Sequence, residues 1–132
     1  MAGDYRVDTL AVPETLELLH DLLDRVREEH PDVERTDLML FETAVIEIAN
    51  NVVEHARPPG TVHYSFTLDV APDKLHGLLS DGGPPLPQVL AVLPSDDAEH
   101  GRGLALARMA LDELEYERVD DHNEWRMTRV RR

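Results

Sequence analysis

Three polar side chains recur four residues apart in a mostly apolar stretch of the sequence. They are Glu47, Asn51 and His55, within the segment EIANNVVEH. In an α-helix, residues four apart share one face, and this face would lie beside the apolar stripe that packs on the core. The stripe comprises Leu38, Phe41, Val45, Ile48 and Val52. The three polar residues are therefore either the solvated flank of an amphipathic helix or one wall of a binding cleft.

Two glycine-containing segments further along the chain have the chemistry of ligand-binding segments. Asp81 ends a predicted strand and is followed by Gly82 and Gly83. A carboxylate there can accept a hydrogen bond from an exocyclic amine, and glycine lets a ligand approach the backbone closely. Gly101 and Gly103 come at the predicted start of a helix, where free backbone N–H groups bind anions such as phosphate. Each segment alone is also typical of an ordinary turn or helix start, but the three together predict a site.

The elements that position these residues follow from hydrophobic periodicity. The predicted strands cover residues 5–12, 61–70, 74–81, 115–119 and 124–130, and the predicted helices cover residues 13–30, 34–56 and 103–114. Thr36 is the expected cap of the second helix, and the loop 82–103 is expected to hold at most a short helix at residues 88–93. This order favours an α+β fold, a two-layer sandwich with the helices on one face of a mixed, mainly antiparallel sheet.

Length and composition restrict the class of protein. A chain of 132 residues is expected to form a single domain spanning residues 1–132. The N-terminal segment lacks the features of a signal peptide, and no apolar run reaches the ~18 residues that a membrane span requires. The absence of cysteine fits a reducing compartment, so a cytoplasmic location without membrane association is expected. The net charge of −14 disfavours direct contact with nucleic acid and favours a basic protein surface as partner.

The three motifs, in this order, resemble those of a known superfamily. EIANNVVEH, DGG and GRG are similar to the motifs of the ATP-binding domain shared by gyrase, histidine kinases and the MutL repair proteins. Within that histidine-kinase-like superfamily, the chain looks most like the small anti-sigma-factor serine/threonine kinases of bacterial partner-switching systems. The resemblance spans nearly the whole chain, including the last predicted strand, EWRMTRV.

The resemblance implies a role for each residue of the first motif. Glu47 would be the general base that activates the attacking hydroxyl, directly or through one water. Asn51 would bind Mg²⁺ through its amide oxygen, which is a hard ligand suited to this cation. His55 would either contact the phosphate region or close the end of the helix.

The resemblance also assigns the nucleotide contacts to the two glycine-containing segments. Asp81 would recognise the adenine amino group, with Gly83 leaving clearance beside it. Gly101, Arg102 and Gly103 would bind the phosphates of ATP at the helix N-terminus, where Arg102 would add a positive charge.

The implied function is that of an ATP-dependent protein serine/threonine kinase acting as an anti-sigma factor. It would use ATP and Mg²⁺, bind a sigma factor, and phosphorylate an anti-anti-sigma antagonist protein. The same resemblance implies that the protein forms a homodimer. A histidine autokinase is disfavoured because the sequence shows no helical dimerisation segment with a phospho-acceptor histidine.

Two further hypotheses belong to other classes of protein. The first is a non-catalytic module with a nucleotide-binding fold that sequesters a regulatory partner, although a pure binder would not need both Glu47 and Asn51. The second is a metal site built from His55, His63, His76 and His100. Of these, only His63 and His76 are expected to lie close together, because they occupy adjacent predicted strands, and no spacing among the four matches a known ligand pattern.

Overall fold

Five strands and three α-helices make up the part of the chain that the structure describes. The computed structural model describes residues 5–85 and 99–132, and for residues 99–102 it describes the backbone alone. The strands are β1 (Tyr5–Leu10), β2 (His63–Val70), β3 (Lys74–Asp81), β4 (Glu113–Val119) and β5 (His122–Val130), and the helices are α1 (Leu16–Glu29), α2 (Arg35–His55) and α3 (Glu99–Ala110). A short 3₁₀ turn, Pro13–Thr15, precedes α1.

The strands form one sheet in the order β1-β2-β3-β5-β4. All four pairings between described neighbours are antiparallel, so these strands contain no parallel pair. The helices pack against one face of this sheet. The predicted two-layer α+β architecture is therefore confirmed, as is the antiparallel pairing of β2 with β3.

Because side-chain direction alternates along each strand, two polar residues lie on the face of the sheet that the helices cover. Successive side chains of a strand point to opposite faces, and in β3 the buried positions are Leu75, Gly77, Leu79 and Asp81. Asp81 therefore lies on the same face as the core leucines, at the end of its strand. In β5, Asn123 is buried by the same alternation.

The middle of α2 packs closely over the centre of the sheet. A Cβ atom at Gly77 would lie 2.9 Å from Phe66 Cε1 and 3.1 Å from Phe41 Cζ, so glycine leaves room for both aromatic rings beside β3. Phe41, Val45 and Ile48 are completely buried, which confirms the predicted core stripe of α2. This packing places the adjacent line of polar residues at the rim of the core.

A buried ion pair joins α2 to the last strand. The Arg129 guanidinium donates through Nε to Asp37 Oδ1 at 3.0 Å and through an Nη atom to the Ala110 carbonyl at 2.9 Å. The second carboxylate oxygen of Asp37 accepts the Arg132 backbone N–H at 2.8 Å. Both charged side chains are buried, so one contact set connects the start of α2, the end of α3 and the C-terminal segment.

The expected cap of α2 is wrong. The helix begins at Arg35, its N-cap is Glu34, and no side chain caps it. The Leu38 N–H already bonds the Glu34 carbonyl at 3.1 Å, which places Thr36 inside the first turn. The acidic residue in this turn is Asp37, whose negative charge suits the positive end of the helix dipole.

The third helix lies four residues earlier than predicted, at Glu99–Ala110 instead of 103–114. It ends early because the next residues join the sheet. The Asp112 N–H donates to the Thr128 carbonyl at 2.8 Å, and the Asp112 carboxylate accepts the Val130 N–H at 2.6 Å. Pairing with β5 thus overrides a local pattern that is helical by periodicity alone.

Candidate functional site

A cavity of about 580 Å³ opens between the C-terminal part of α2 and the ends of β3 and β5. This volume is in the range of small-molecule binding sites. Four of the residues predicted from the motifs line it together: Asn51, His55, Asp81 and Gly83. The rest of its lining is Val52, Glu54, Arg57, Pro84, Pro85, Asn123 and Trp125.

Asp81 is held in a defined orientation in the lining of this cavity. The side chain is buried, and Oδ1 accepts the Gly83 N–H at 2.9 Å and Asn123 Nδ2 at 2.9 Å. Because both of these donors bind Oδ1, the second oxygen, Oδ2, is left for a ligand. A carboxylate oxygen with no proton of its own selects a ligand that presents an N–H or O–H group.

Gly83 lines the cavity and also provides space for the Asp81 carboxylate. A Cβ atom at this position would lie 3.0 Å from Asp81 Oδ1 and 3.5 Å from Val62 Cγ1. The glycine can therefore bring its N–H to Asp81 without a side chain that crowds the same oxygen. The clearance that the sequence suggested at Gly83 thus serves the orientation of Asp81.

Asn51 and His55 bring polar groups from α2 to the cavity wall. Asn51 is buried and His55 is half-buried. Arg57, just beyond the helix end, also lines the cavity, and its guanidinium bonds the carbonyls of Glu54 and Ala56 at 3.0 and 2.7 Å. These contacts hold a positive charge in the wall of a site on an otherwise acidic protein.

Glu47 lies beside the cavity but does not line it. The residue is half-buried and borders a separate depression of about 290 Å³, which is lined by His20, Met39, Glu42, Thr43, Ile46 and Glu47. A Cβ atom at Gly103 would lie only 2.5 Å from Glu47 Oε2, so the carboxylate packs against the backbone of α3. Glu47 lies four residues before Asn51 on α2, and this separation corresponds to about 6 Å along the helix axis.

The glycines of the GRG segment lie inside α3, not in front of it. Gly101 and Gly103 are the third and fifth residues of the helix, since it begins at Glu99. An acidic first residue favours this early start because it faces the positive end of the helix dipole. The Gly101 N–H belongs to the first turn, whose N–H groups have no partner within the helix, whereas Gly103 makes room for Glu47. The Arg102 side chain lies outside the described residues, as does the short helix expected at residues 88–93.

Sequence reasoning missed Arg57, Asn123 and Trp125. Arg57 lies two residues after His55, the last residue of the first motif, so its position was a usable signal. Asn123 and Trp125 lie on β5, far along the chain from the motifs, and only strand pairing brings them to the cavity. Trp125 is buried, and among the described residues its indole Nε1 is the one buried side-chain nitrogen or oxygen without a hydrogen-bond partner.

The prediction that His63 and His76 lie close together is wrong. His63 begins β2, whereas His76 pairs with Asp69 near the other end of that strand. Six residues of strand separate the two positions by about 20 Å. Among the side chains of residues 5–85 and 103–132, no group of three or more potential ligands could hold a metal ion. The His100 side chain lies outside the described residues. The helices described here are also too short or too polar to cross a membrane.

Comparisons with known proteins agree with this architecture. The family model of the histidine kinase-like ATPase domain matches residues 10–129. The structure of the RsbU and RsbW domains of Rv1364c from Mycobacterium tuberculosis is similar, with a TM-score of 0.71 and 16% identity, over 98% of this chain and 32% of that one. The present chain thus spans about a third of that protein.

Two histidine kinases share the fold at lower similarity. The catalytic domain of histidine kinase ThkA matches with a TM-score of 0.59 and 11% identity, over 96% of this chain and 97% of that one. A blue-light activated histidine kinase from Erythrobacter litoralis matches with a TM-score of 0.55 and 14% identity, over 86% and 59% of the two chains. No curated protein matches the sequence significantly. Because the family model covers nearly the whole chain, the chain belongs to the histidine kinase-like ATPase domain family.

Proposed function

We propose that the chain is an ATP-dependent protein serine/threonine kinase that acts as an anti-sigma factor. The observation that carries this proposal is the shared cavity, in which Asp81 and Asn51 lie together while Glu47 lies one helical turn beyond Asn51. A nucleotide with its base at Asp81 and its phosphates near Asn51 would bring the terminal phosphate toward Glu47. Similarity to a protein with an RsbW domain supports the choice of subfamily.

The donor set of the cavity fits Mg-ATP. Asp81 Oδ2 would accept the amino group of adenine, and the buried Asn51 amide would offer an oxygen ligand to Mg²⁺. The first-turn N–H groups of α3, including that of Gly101, would bind phosphate oxygens. Arg57 and His55 would face the nucleotide from the end of α2.

Bound Mg-ATP would supply the phosphoryl group, and the chain would position it and accept a proton. Glu47 would take the proton of a serine or threonine hydroxyl as that oxygen bonds to the terminal phosphorus and ADP leaves. The acceptor would belong to an anti-anti-sigma antagonist protein. The sigma factor would be the second partner. Phosphorylation of the antagonist would stop it from displacing this sigma factor from the kinase. We propose a homodimer as the assembly.

One observation favours a second candidate function, a binding module without phosphoryl transfer. Glu47 packs toward Gly103 and borders a depression separate from the cavity. A carboxylate that stayed in this position would not reach a hydroxyl at the terminal phosphate. Such a protein would bind nucleotide and sequester its partner, but it would not modify the antagonist.

We expect ATP to bind much more tightly than GTP, and we expect Asp81→Asn to weaken ATP binding about tenfold or more. The substitution replaces the accepting oxygen toward the ligand by an amide, and an unsatisfied buried polar group costs ~1–3 kcal/mol. Calorimetric titration of both nucleotides into both proteins measures this effect. Equal affinity of the wild type for ATP and GTP would remove Asp81 from base recognition.

Asn51 should carry the Mg²⁺ dependence of ATP binding. Asn51→Ala is expected to abolish the gain in ATP affinity that Mg²⁺ brings, because it removes the amide oxygen at the cavity wall. Asn50→Ala is the matched control, since Asn50 does not line the cavity and its amide contacts Glu54 at 3.4 Å. Titrations with and without Mg²⁺ should separate the two variants, and equal loss in both would contradict the assignment.

A further inference from the structure

A buried asparagine in β5 makes four hydrogen bonds around the base end of the cavity. Asn123 Nδ2 donates to Asp81 Oδ1 and to the Pro84 carbonyl, both at 2.9 Å. Asn123 Oδ1 accepts the Tyr116 hydroxyl at 2.5 Å and an Arg118 Nη atom at 3.1 Å. With these four partners the amide has no group left to offer a ligand.

The partners also determine which way the amide points. A guanidinium can only donate and a backbone carbonyl can only accept, so Arg118 identifies the oxygen of Asn123 and Pro84 identifies its nitrogen. The nitrogen therefore faces Asp81. This orientation requires an accepting carboxylate oxygen on Asp81, which is the form that the neighbouring Gly83 N–H also requires.

Strand register explains why these side chains meet. Asn123 is the partner of Asp81 across β3 and β5, and it is the partner of Arg118 across β4 and β5. Arg118 extends past this pair and donates to the Gly83 carbonyl at 2.8 Å. The end of the β4–β5 hairpin thus supports both the carboxylate and the backbone of the DGG segment.

We propose that Asn123 is a positioning residue for base recognition, supported by Arg118. It occupies Asp81 Oδ1, so that Oδ2 faces the cavity and accepts the 6-amino group of an adenine nucleotide. This inference rests on the proposed binding of ATP and extends it: base selectivity depends on the β4–β5 hairpin as well as on the DGG motif.

The decisive variant is Asn123→Asp, which keeps the shape of the side chain. Its oxygen would still accept from Tyr116 and Arg118, but its second oxygen would face Asp81 Oδ1 and the Pro84 carbonyl at the distances that now hold hydrogen bonds. Repulsion between acceptors would turn the Asp81 carboxylate away from its present orientation. The contact with the 6-amino group should be lost while the rest of the cavity remains.

The experiment compares ATP with purine riboside triphosphate, which lacks only the 6-amino group. We expect Asn123→Asp to weaken ATP binding about tenfold or more and to change binding of the analogue less than about threefold. Asn50→Asp, the same substitution away from the cavity, is expected to change neither affinity. Calorimetry measures the affinities, and thermal unfolding verifies that each variant is folded.

A general structural role of Asn123 would weaken both nucleotides equally, and that result would overturn the proposal. So would an unchanged affinity for ATP. If Asn123→Asp does not fold, Arg118→Ala serves instead, because it removes the contacts of Arg118 with Asn123 and the Gly83 carbonyl. It should weaken binding of ATP without weakening binding of the analogue. Wild-type protein that binds neither nucleotide would refute the proposed function itself, whereas wild-type selectivity that survives in the variants would refute only this inference.

Discussion

Replacing Glu47 by glutamine should lower phosphoryl transfer to the antagonist protein at least about a hundredfold. A general base typically contributes ~10²–10⁴-fold to a rate, and glutamine keeps the shape of the side chain but cannot accept the proton. Binding of Mg-ATP should be unchanged, because Glu47 does not line the cavity that holds Asn51 and Asp81. Binding of the sigma factor should also persist. The variant should therefore still inhibit transcription by that sigma factor until antagonist is present.

The measurement is transfer of labelled phosphate from ATP to candidate antagonist proteins by wild type and variant in parallel. Glu28→Gln on the exposed surface of α1 is a matched control that should leave the rate unchanged. Equal rates for wild type and Glu47→Gln would exclude Glu47 as the base. A wild type that binds nucleotide and partner tightly, yet transfers no phosphate to any antagonist, would establish the binding module instead.

Replacing Asp37 by alanine should destabilise the fold by ~3–5 kcal/mol, because it leaves the buried Arg129 guanidinium without its counter-charge. The substitution also removes the acceptor of the Arg132 backbone N–H. Arg129 would keep its bond to the Ala110 carbonyl, but a carbonyl does not neutralise the charge. Urea unfolding of wild type and variant measures the difference in the free energy of unfolding.

Asp8→Ala is the control for this effect. Asp8 pairs with Arg6 at 2.7 Å, but both side chains are more than half exposed, and exposed pairs contribute ~0–1 kcal/mol. The two variants remove the same charge and differ mainly in burial. A loss below about 1 kcal/mol for Asp37→Ala would mean that solvent or another group compensates Arg129.

Much of the fold was predictable because buried apolar residues recur in the sequence with the period of a helix or a strand. The stripe of α2 and the alternation in β2 and β3 are local patterns, and the structure confirms both. The motifs that carry Asn51 and Asp81 are also local, and each lies at the end of a regular element. Since α2 and β3 both terminate at the same edge of the sandwich, the two motifs meet in one cavity.

Other features depended on contacts between distant segments. Helical periodicity extends through residues 111–114. These residues nevertheless lie outside the helix, because β4 pairs with β5 from residue 113 onward. Thr36 is a suitable cap by residue type, yet the helix began before it. In both cases the local preference is small compared with the contacts that the assembled sheet provides.

By itself, the sequence determined the α+β class, the core-facing side of each main element and the identity of the motif residues. Tertiary structure alone decided which way those residues face and what supports them. Asn123 reaches Asp81 across 42 positions of sequence, and Arg129 reaches Asp37 across 92. Glu47 and Gly103 meet only because α3 packs beside α2. Periodicity reports which side of an element is buried, whereas hydrogen-bond partners depend on strand register and helix packing, which non-local contacts select.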